Sequence, residues 1–263
     1  MRLWTRARIG EACVAIAAAM VLGLAPTGSS EAQEKVLRAV LHADVRVLDP
    51  IWTTQTIANI HGMLVYDTLF GNDADMQPRP QMVDRFEISE DKLVYSFTLR
   101  DKLKFHDGSP VTSKDVIASL ERWGKKDGVG QRLFEFIDRL EGLDDKTFRI
   151  TLKKPYGMVL ESLGKTNSSV AVIMRAQDAA TDPQQQVKEA VGSGPFKFAK
   201  DQWVPGSKAV YLKNADYVPR AASDKAESFA GSKFPGVDRI GARVDIGPAN
   251  RHVGTHQRRN RLL

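Results

Sequence analysis

The sequence predicts an α+β fold, and two observations carry that prediction. Two segments alternate apolar and polar residues. In LVYSFTLR, Leu93, Tyr95, Phe97 and Leu99 alternate with Val94, Ser96, Thr98 and Arg100; in GLDDKTFRITL, Phe148, Ile150 and Leu152 repeat the pattern. A period of two buries one face of a sheet. Between these segments the spacing turns helical, near 113–123 and 131–140. Hairpins interrupted by lone helices describe a mixed α+β body, and no repeat is long enough for a solenoid.

Taken in order, Leu37 to Leu41 reads as a buried first strand. LDPIWTTQT follows, where Pro50 holds Asp49 in an extended or turning path. From about Thr56 to Leu69, Ile57, Ile60, Leu64 and Thr68 share one side of a helix, with Val65 and Leu69 beside them. GNDADMQPRP is polar and proline-bearing, as a crossing between domains would be. Phe86 and Ile88 precede the turn sequence SEDK, so 85–100 reads as a hairpin. GSGPFKFAK and KAVYLKN read as two further strands joined by DQWVPGS, and residues 219–236, rich in Ala, Ser, Gly and Lys, as a loop. From Gly241 to Leu263 weak periodicity and clustered arginine predict a disordered tail, foreign to the fold.

The stretch LRDKLKFHDGSPVTSKDV sets His106 beside Asp107, a pair that can serve acid–base chemistry or hold a metal. The remaining histidines are His42, His61, His252 and His256, and none completes a helical HExxH. His252 and His256 are four apart, but lack a nearby carboxylate or thiol. The structural reading explains more. Asp107-Gly108 is a turn dipeptide in which glycine takes positive φ, and Pro110 continues the turn. Thr112 and Asp115 match the start signal of a helix, with Asp115 suited to its dipole, and Val116, Ile117, Leu120 and Trp123 form the apolar stripe behind it. The stretch is strand, turn and capped helix.

Other chemical motifs fail on spacing. GKT at Gly164–Thr166 lacks the upstream glycine of a phosphate loop, because Val159 stands there. Gly192-Ser193-Gly194 is no nucleophile elbow, because Val191 and Pro195 occupy the outer glycine positions. No set of nucleophile, base or metal ligands supports an enzyme such as a secreted hydrolase, and no cofactor or metal is expected.

Composition bounds the remaining classes. The net charge is +6, but it is uneven. Residues 1–32 carry three Arg and two Glu, giving +1, and residues 241–263 carry five Arg and one Asp, giving +4. Removing both leaves +1 for 33–240, so nucleic-acid binding is not implied. Arg2, Arg6 and Arg8, the apolar run Ala12–Ala25 and Ser30-Glu31-Ala32 form an export leader, cleaved after Ala32. Cys13 is the only cysteine and lies inside that leader, which leaves the mature chain without disulfides or thiol ligands. A cysteine-free exported chain fits the periplasm.

Three blocks carry a family likeness: LDPIWTTQTIANIHGMLVYDTLF, PQMVDRFEISEDKLVYSFTLRDKLKFHDGSPVTSKDVIASLERW, and GSGPFKFAKDQWVPGSKAVYLKNADYVPR. In order and spacing they resemble the dipeptide/oligopeptide-type solute-binding proteins of bacterial ABC importers, extracellular solute-binding protein family 5, over about residues 36–240. The resemblance implies a periplasmic-binding-protein-like, two-lobed fold. Its first lobe, of α/β type, is discontinuous, residues 33–75 and 190–240, and a smaller α+β subdomain is inserted at 76–189. It implies a monomer that closes around a peptide or related solute and docks on an inner-membrane permease driven by ATPase subunits. The same fold also serves other solutes, such as a metal chelate, an opine or an oligosaccharide.

By this resemblance the WTTQT segment and the loop around KTNSSV lie near the cleft. Trp52 is expected as an apolar wall, with Thr53, Thr54, Gln55 and Asn167 as hydrogen-bonding groups. Family members continue into a second large lobe after the segment near Ile240, whereas here an Arg-rich stretch follows. The expectation is therefore a truncated product lacking the opposite wall of the cleft, with solute capture impaired or absent.

Overall fold

The computed structural model describes residues 33–221 and 228–244. The expected leader, 1–32, and residues 245–263 lie outside the described residues.

Val36–Leu41 (β1) begins a four-stranded sheet. Its other members come late in the chain: Phe196–Phe198 (β8), Lys208–Lys213 (β9) and Arg239–Val244 (β10), in the order β1-β10-β9-β8. β1 and β10 run parallel, with Val36 opposite Arg239 and Leu41 opposite Val244; the other pairs are antiparallel. The expected burial of β1 is not found. It is an edge strand on which Val36, Leu37 and Val40 are exposed. A short apolar run does not reveal whether its neighbours cover it. β10 also carries the fold past the boundary expected at Gly241: Gly241–Val244 belong to this strand, and Ala242 is buried. The ladder that orders them comes from β1 and β9, far away in sequence.

A second four-stranded sheet is local. Val83–Ile88 (β4) and Val94–Leu99 (β5) form the expected hairpin. Thr147–Leu152 (β7) pairs with β5, and Ile137–Gly142 (β6) pairs with β7. Phe86, Phe97 and Phe148 stand opposite one another across β4, β5 and β7, and the rings of Phe97 and Phe148 stack at 4.9 Å. Tyr95, Phe97 and Leu99 face inward, as do Phe148, Ile150 and Leu152, so the alternation is realised on one buried face. Ile137–Leu140 had read as the end of a helix. The helix stops at Phe136 because the ladder to β7 claims the next six residues.

Two helices connect the hairpins. Ser113–Lys126 (α2) starts where the capping signal placed it. The Asp115 carboxylate accepts the Thr112 N–H at 2.8 Å and its hydroxyl at 2.7 Å, and the other oxygen accepts the Ala176 N–H at 2.7 Å. Gly128–Phe136 (α3) follows, capped by Asp127, which accepts the N–H groups of Val129 and Gly130. α2 lies against β6 and β7, and Val116, Leu120 and Trp123 are buried. The earlier helix, Thr56–Val65 (α1), is shorter than its periodicity, because Tyr66 turns extended while its N–H still bonds Gly62 O. A two-stranded pair, Phe70–Asn72 (β2) with Pro78–Pro80 (β3), follows it. The short helices Val159–Leu163 (α4) and Ala176–Ala179 (α5) and a 3-10 turn at Lys200–Gln202 complete the described elements.

His106 and Asp107 are structural. Gly108 adopts φ 89° in the turn. His106 Nε2 meets Gly194 O at 3.0 Å, and Gly192 N–H meets its Nδ1 at 3.3 Å. A carbonyl only accepts and an N–H only donates, so this geometry requires the neutral Nε2–H tautomer. Gly192 and Gly194 are needed for the approach: a Cβ would lie 2.0 Å and 2.7 Å from Val65 backbone atoms. Asp107 pairs with Arg175 at 2.8 Å. The Ser109 hydroxyl is the first cause that brings the Asp107 carboxyl down to about 2, with Arg175 adding to it.

Burial pulls His106 down to about 4 and the fully buried His61 down to about 3. Below the ordinary imidazole value of 6.5 the unfolded chain takes up protons that the folded chain refuses. These groups therefore contribute full stability above pH 6.5, lost as pH falls toward 4 and then 3. Urea denaturation at pH 7, 5.5 and 4.5 is expected to show a steady fall, with His106 alone contributing about 3 kcal/mol by its full protonation. A His106→Gln variant is expected to flatten the upper part of that profile.

Candidate functional site

The segment after Asp49 is shaped by that residue. Asp49 Oδ1 accepts the N–H groups of Ile51 and Trp52, both at 3.1 Å, which turns the chain at Pro50 and sends it out along Trp52–Gln55. Asp49 Oδ2 accepts Val187 N–H at 3.0 Å and Arg122 Nη2 at 2.7 Å. Both side chains of that ion pair are 0% exposed. Arg122 also donates to the carbonyls of Thr181 and Gln185. Nearby, burial first and the charge of Asp49 second raise the pKa of the Tyr66 hydroxyl well above the usual phenol range.

Trp52 is half-buried. Its indole N–H donates to Gln184 O at 3.0 Å, and Lys126 Nζ sits 5.6 Å from the ring centroid. Thr53 is partly buried and used locally: its hydroxyl accepts the Gln55 N–H at 3.3 Å, and its carbonyl accepts the Ser169 hydroxyl at 3.2 Å. Thr54 and Gln55 are exposed just before α1.

The loop after α4 meets this segment. Thr166 O accepts Asn59 Nδ2 at 3.2 Å, and Lys165 pairs with the buried Asp127 and reaches Ser169 O at 3.3 Å. Ser168 adopts φ 57°, and Asn167 is left exposed at the turn. Hydrogen bonds thus join the two segments through Thr53–Ser169 and Asn59–Thr166, which sets Trp52, Thr53, Thr54, Gln55 and Asn167 on adjoining loops. Half of an indole and three exposed polar side chains form a surface suited to an apolar group flanked by hydrogen-bonding groups. Among the described residues no group of three His, Cys, Asp or Glu is placed to hold a metal. No helix among them is long and apolar enough to cross a membrane.

Sequence reading missed the residues that hold this surface: Asp49, Arg122, Lys126, Asn59, Ser169 and Gln184. Arg122 did leave a signal, a charge lodged between Leu120 and Trp123 in the buried stripe of α2. Its partner lies 73 positions away, and no local pattern points to it.

The family model described as bacterial extracellular solute-binding proteins, family 5 middle, matches residues 77–244. The chain belongs to this family. The match takes in β10, past the point where the sequence likeness had been placed. The chain is 40% identical to the probable peptide ABC transporter periplasmic-binding protein y4tO of Sinorhizobium fredii, over 85% of this chain and 41% of that one. It is 33% identical to the glutathione-binding protein GsiB of Pectobacterium atrosepticum, over 57% of this chain and 29% of that one. Among solved structures it resembles the binding protein AgaA in complex with agropinic acid from A. tumefaciens R10. The TM-score is 0.66 at 26% identity, over 83% of this chain and 41% of that one. These likenesses place the periplasmic-binding-protein fold on the chain, with its mixture of helices and sheets. The chain spans less than half the length of these relatives.

Truncating Asp49 to Ala strands the Arg122 guanidinium in the interior. Breaking a buried pair from one side typically costs about 3–5 kcal/mol. Chemical denaturation of Asp49→Ala is expected to show a loss of that order, against less than about 1 kcal/mol for the exposed pair of Lys200 and Glu189.

Proposed function

We propose that the described body supplies one wall of the solute site in the binding component of an ABC importer, and that the solute is a peptide or a peptide-like molecule. The observation that carries this reading is the 40% identity to a protein named as a probable peptide transporter's periplasmic binding protein, extending over 85% of the chain. The site suits such a solute: Trp52 offers an apolar wall, and Thr53, Thr54, Gln55 and Asn167 offer donors and acceptors to a peptide backbone. The action is capture. Solute binding shifts a hinge equilibrium toward a closed state, which docks on permease and ATPase subunits at the inner membrane. The protein works in the periplasm as a monomer, delivered there by the leader at 1–32.

The proposed division is a first lobe of residues 33–75 and 190–240 with an inserted subdomain at 76–189. Support comes from the strand grouping, since β1, β8, β9 and β10 share one sheet and β4–β7 another. The 75/76 boundary falls in the turn between β2 and β3. An opine is a second solute class, favoured by the likeness to the protein solved with agropinic acid.

Saturation-transfer NMR on the 263-residue chain tests the reading, because it detects weak binding. The probes are trialanine, glutathione and agropinic acid. Transfer to at least one is expected, and Trp52→Ala is expected to weaken it roughly tenfold or more, as loss of an aromatic anchor does. No transfer to any probe, or full transfer in Trp52→Ala, would sink the reading.

A further inference from the structure

We propose that Arg122 is the positioning residue for Trp52, and that Lys126, one turn further along α2, caps the ring it presents. The indole is held at two places, and one guanidinium governs both. Its backbone N–H is held by Asp49, whose other oxygen is gripped by Arg122 at 2.7 Å. Its indole N–H is held by Gln184 O, in a loop whose carbonyls at Thr181, Asp182 and Gln185 all accept from Arg122. Arg122 therefore fixes the loop before the indole and the loop beyond it relative to each other. A lysine carries the charge but not the planar fork that reaches a carboxylate and several carbonyls together.

Lys126 is placed by the same helix. Residues four apart share a helix face, so the turn that buries Arg122 beneath the loop lays the Lys126 ammonium 5.6 Å from the centre of the indole. Among the described residues Lys126 forms no ion pair. The carboxylates nearest to it in the chain and in this network are committed elsewhere, Asp127 to Lys165 and Asp49 to Arg122. Asp182 is turned to the N–H of Gln184. The meaning of this arrangement for capture rests on the reading of Trp52 as a site wall, but the placement of the ring is testable without any solute.

The test is ¹⁹F NMR of the full chain labelled with 5-fluorotryptophan. Its four tryptophans give separate signals, assigned by single Trp→Phe changes. In Arg122→Lys the Trp52 signal is expected to broaden or split while that of Trp203 holds still, and amide exchange at Ile51 and Trp52 to speed up by roughly tenfold or more. Lys126→Met is expected to shift the Trp52 signal alone at unchanged melting temperature. Should Arg122→Lys not fold, Asp49→Asn loosens the same pair from its other side and is expected to give the same Trp52-selective change. An unmoved Trp52 signal in a folded Arg122 or Asp49 variant overturns the proposal. So does a collapse of all the tryptophan signals together, which would make Arg122 a general support of the core. A Trp52-selective change in a chain that binds none of the solute probes upholds the positioning role and counts against the functional reading alone.

Discussion

The buried ion pair of Asp49 and Arg122 is the constraint around which the described body is arranged. Two charges with no solvent exposure forfeit their hydration, a penalty of several kcal/mol each even after relaxation. The structure answers that penalty with partners. Asp49 accepts four hydrogen bonds, from Ile51, Trp52, Val187 and Arg122, and the guanidinium reaches three carbonyls besides. Two apolar side chains in the same space would leave the N–H groups of Ile51, Trp52 and Val187 and the carbonyls of Thr181, Asp182 and Gln185 without these partners. They would also lack registration. One arrangement of the Asp49 turn, α2 and the 181–187 loop brings a carboxylate, a guanidinium and those carbonyls within reach, and that arrangement leaves Trp52 half out of the protein.

A second polar centre is built around Asp67. Asp67 is buried and accepts from the Tyr217 hydroxyl at 3.0 Å and Lys233 Nζ at 3.0 Å. Burial, then the charge of Asp67, raises the Tyr217 pKa beyond the usual phenol range, so the hydroxyl remains a donor. Arg100, at the end of β5, donates to the carbonyls of Val218 and Pro219. Arg100 and His106, which holds Gly192 and Gly194, thus bind the end of β5 and the turn after it to the segments that lead into β8 and out of β9. Arg100 and His106 therefore link the proposed subdomain to the proposed first lobe.

What was legible in the sequence was what local chemistry decides. The 85–100 hairpin, the inward face of Phe148, Ile150 and Leu152, and the start of α2 at Thr112–Asp115 each follow from residues within a few positions of one another. The Asp107-Gly108 turn was legible for the same reason. The misreadings share a cause too. Leu37–Leu41 looked buried because an apolar run carries no record of what flanks it. Ile137–Leu140 looked helical locally, but a ladder with residues ten to fifteen positions later outweighs the local pattern. Gly241–Val244 looked irregular because β1 supplies its order. At the site, the family likeness drew attention to Trp52, Thr53, Thr54, Gln55 and Asn167, but the residues that fix them came from long-range pairs.

The place of β1 in the sheet explains why the site needs such an anchor. β1 closes on β10 across nearly the whole described chain: the Lys35 N–H meets Asp238 Oδ2, 203 positions away, and the Asp238 N–H returns to Lys35 O. Loop entropy opposes a contact of that span until the intervening elements are compact, whereas the β4–β5 and β8–β9 pairs close over short loops. β1 is an edge strand, held on one side only, with Val36, Leu37 and Val40 exposed to water. The WTTQT segment follows β1 in the chain yet takes its position from α2 through Asp49, and α2 is held against the local sheet by its cap, by Trp123 and by β6 and β7. The ion pair ties the loop to α2 and the local sheet rather than to the edge strand that precedes it in the chain.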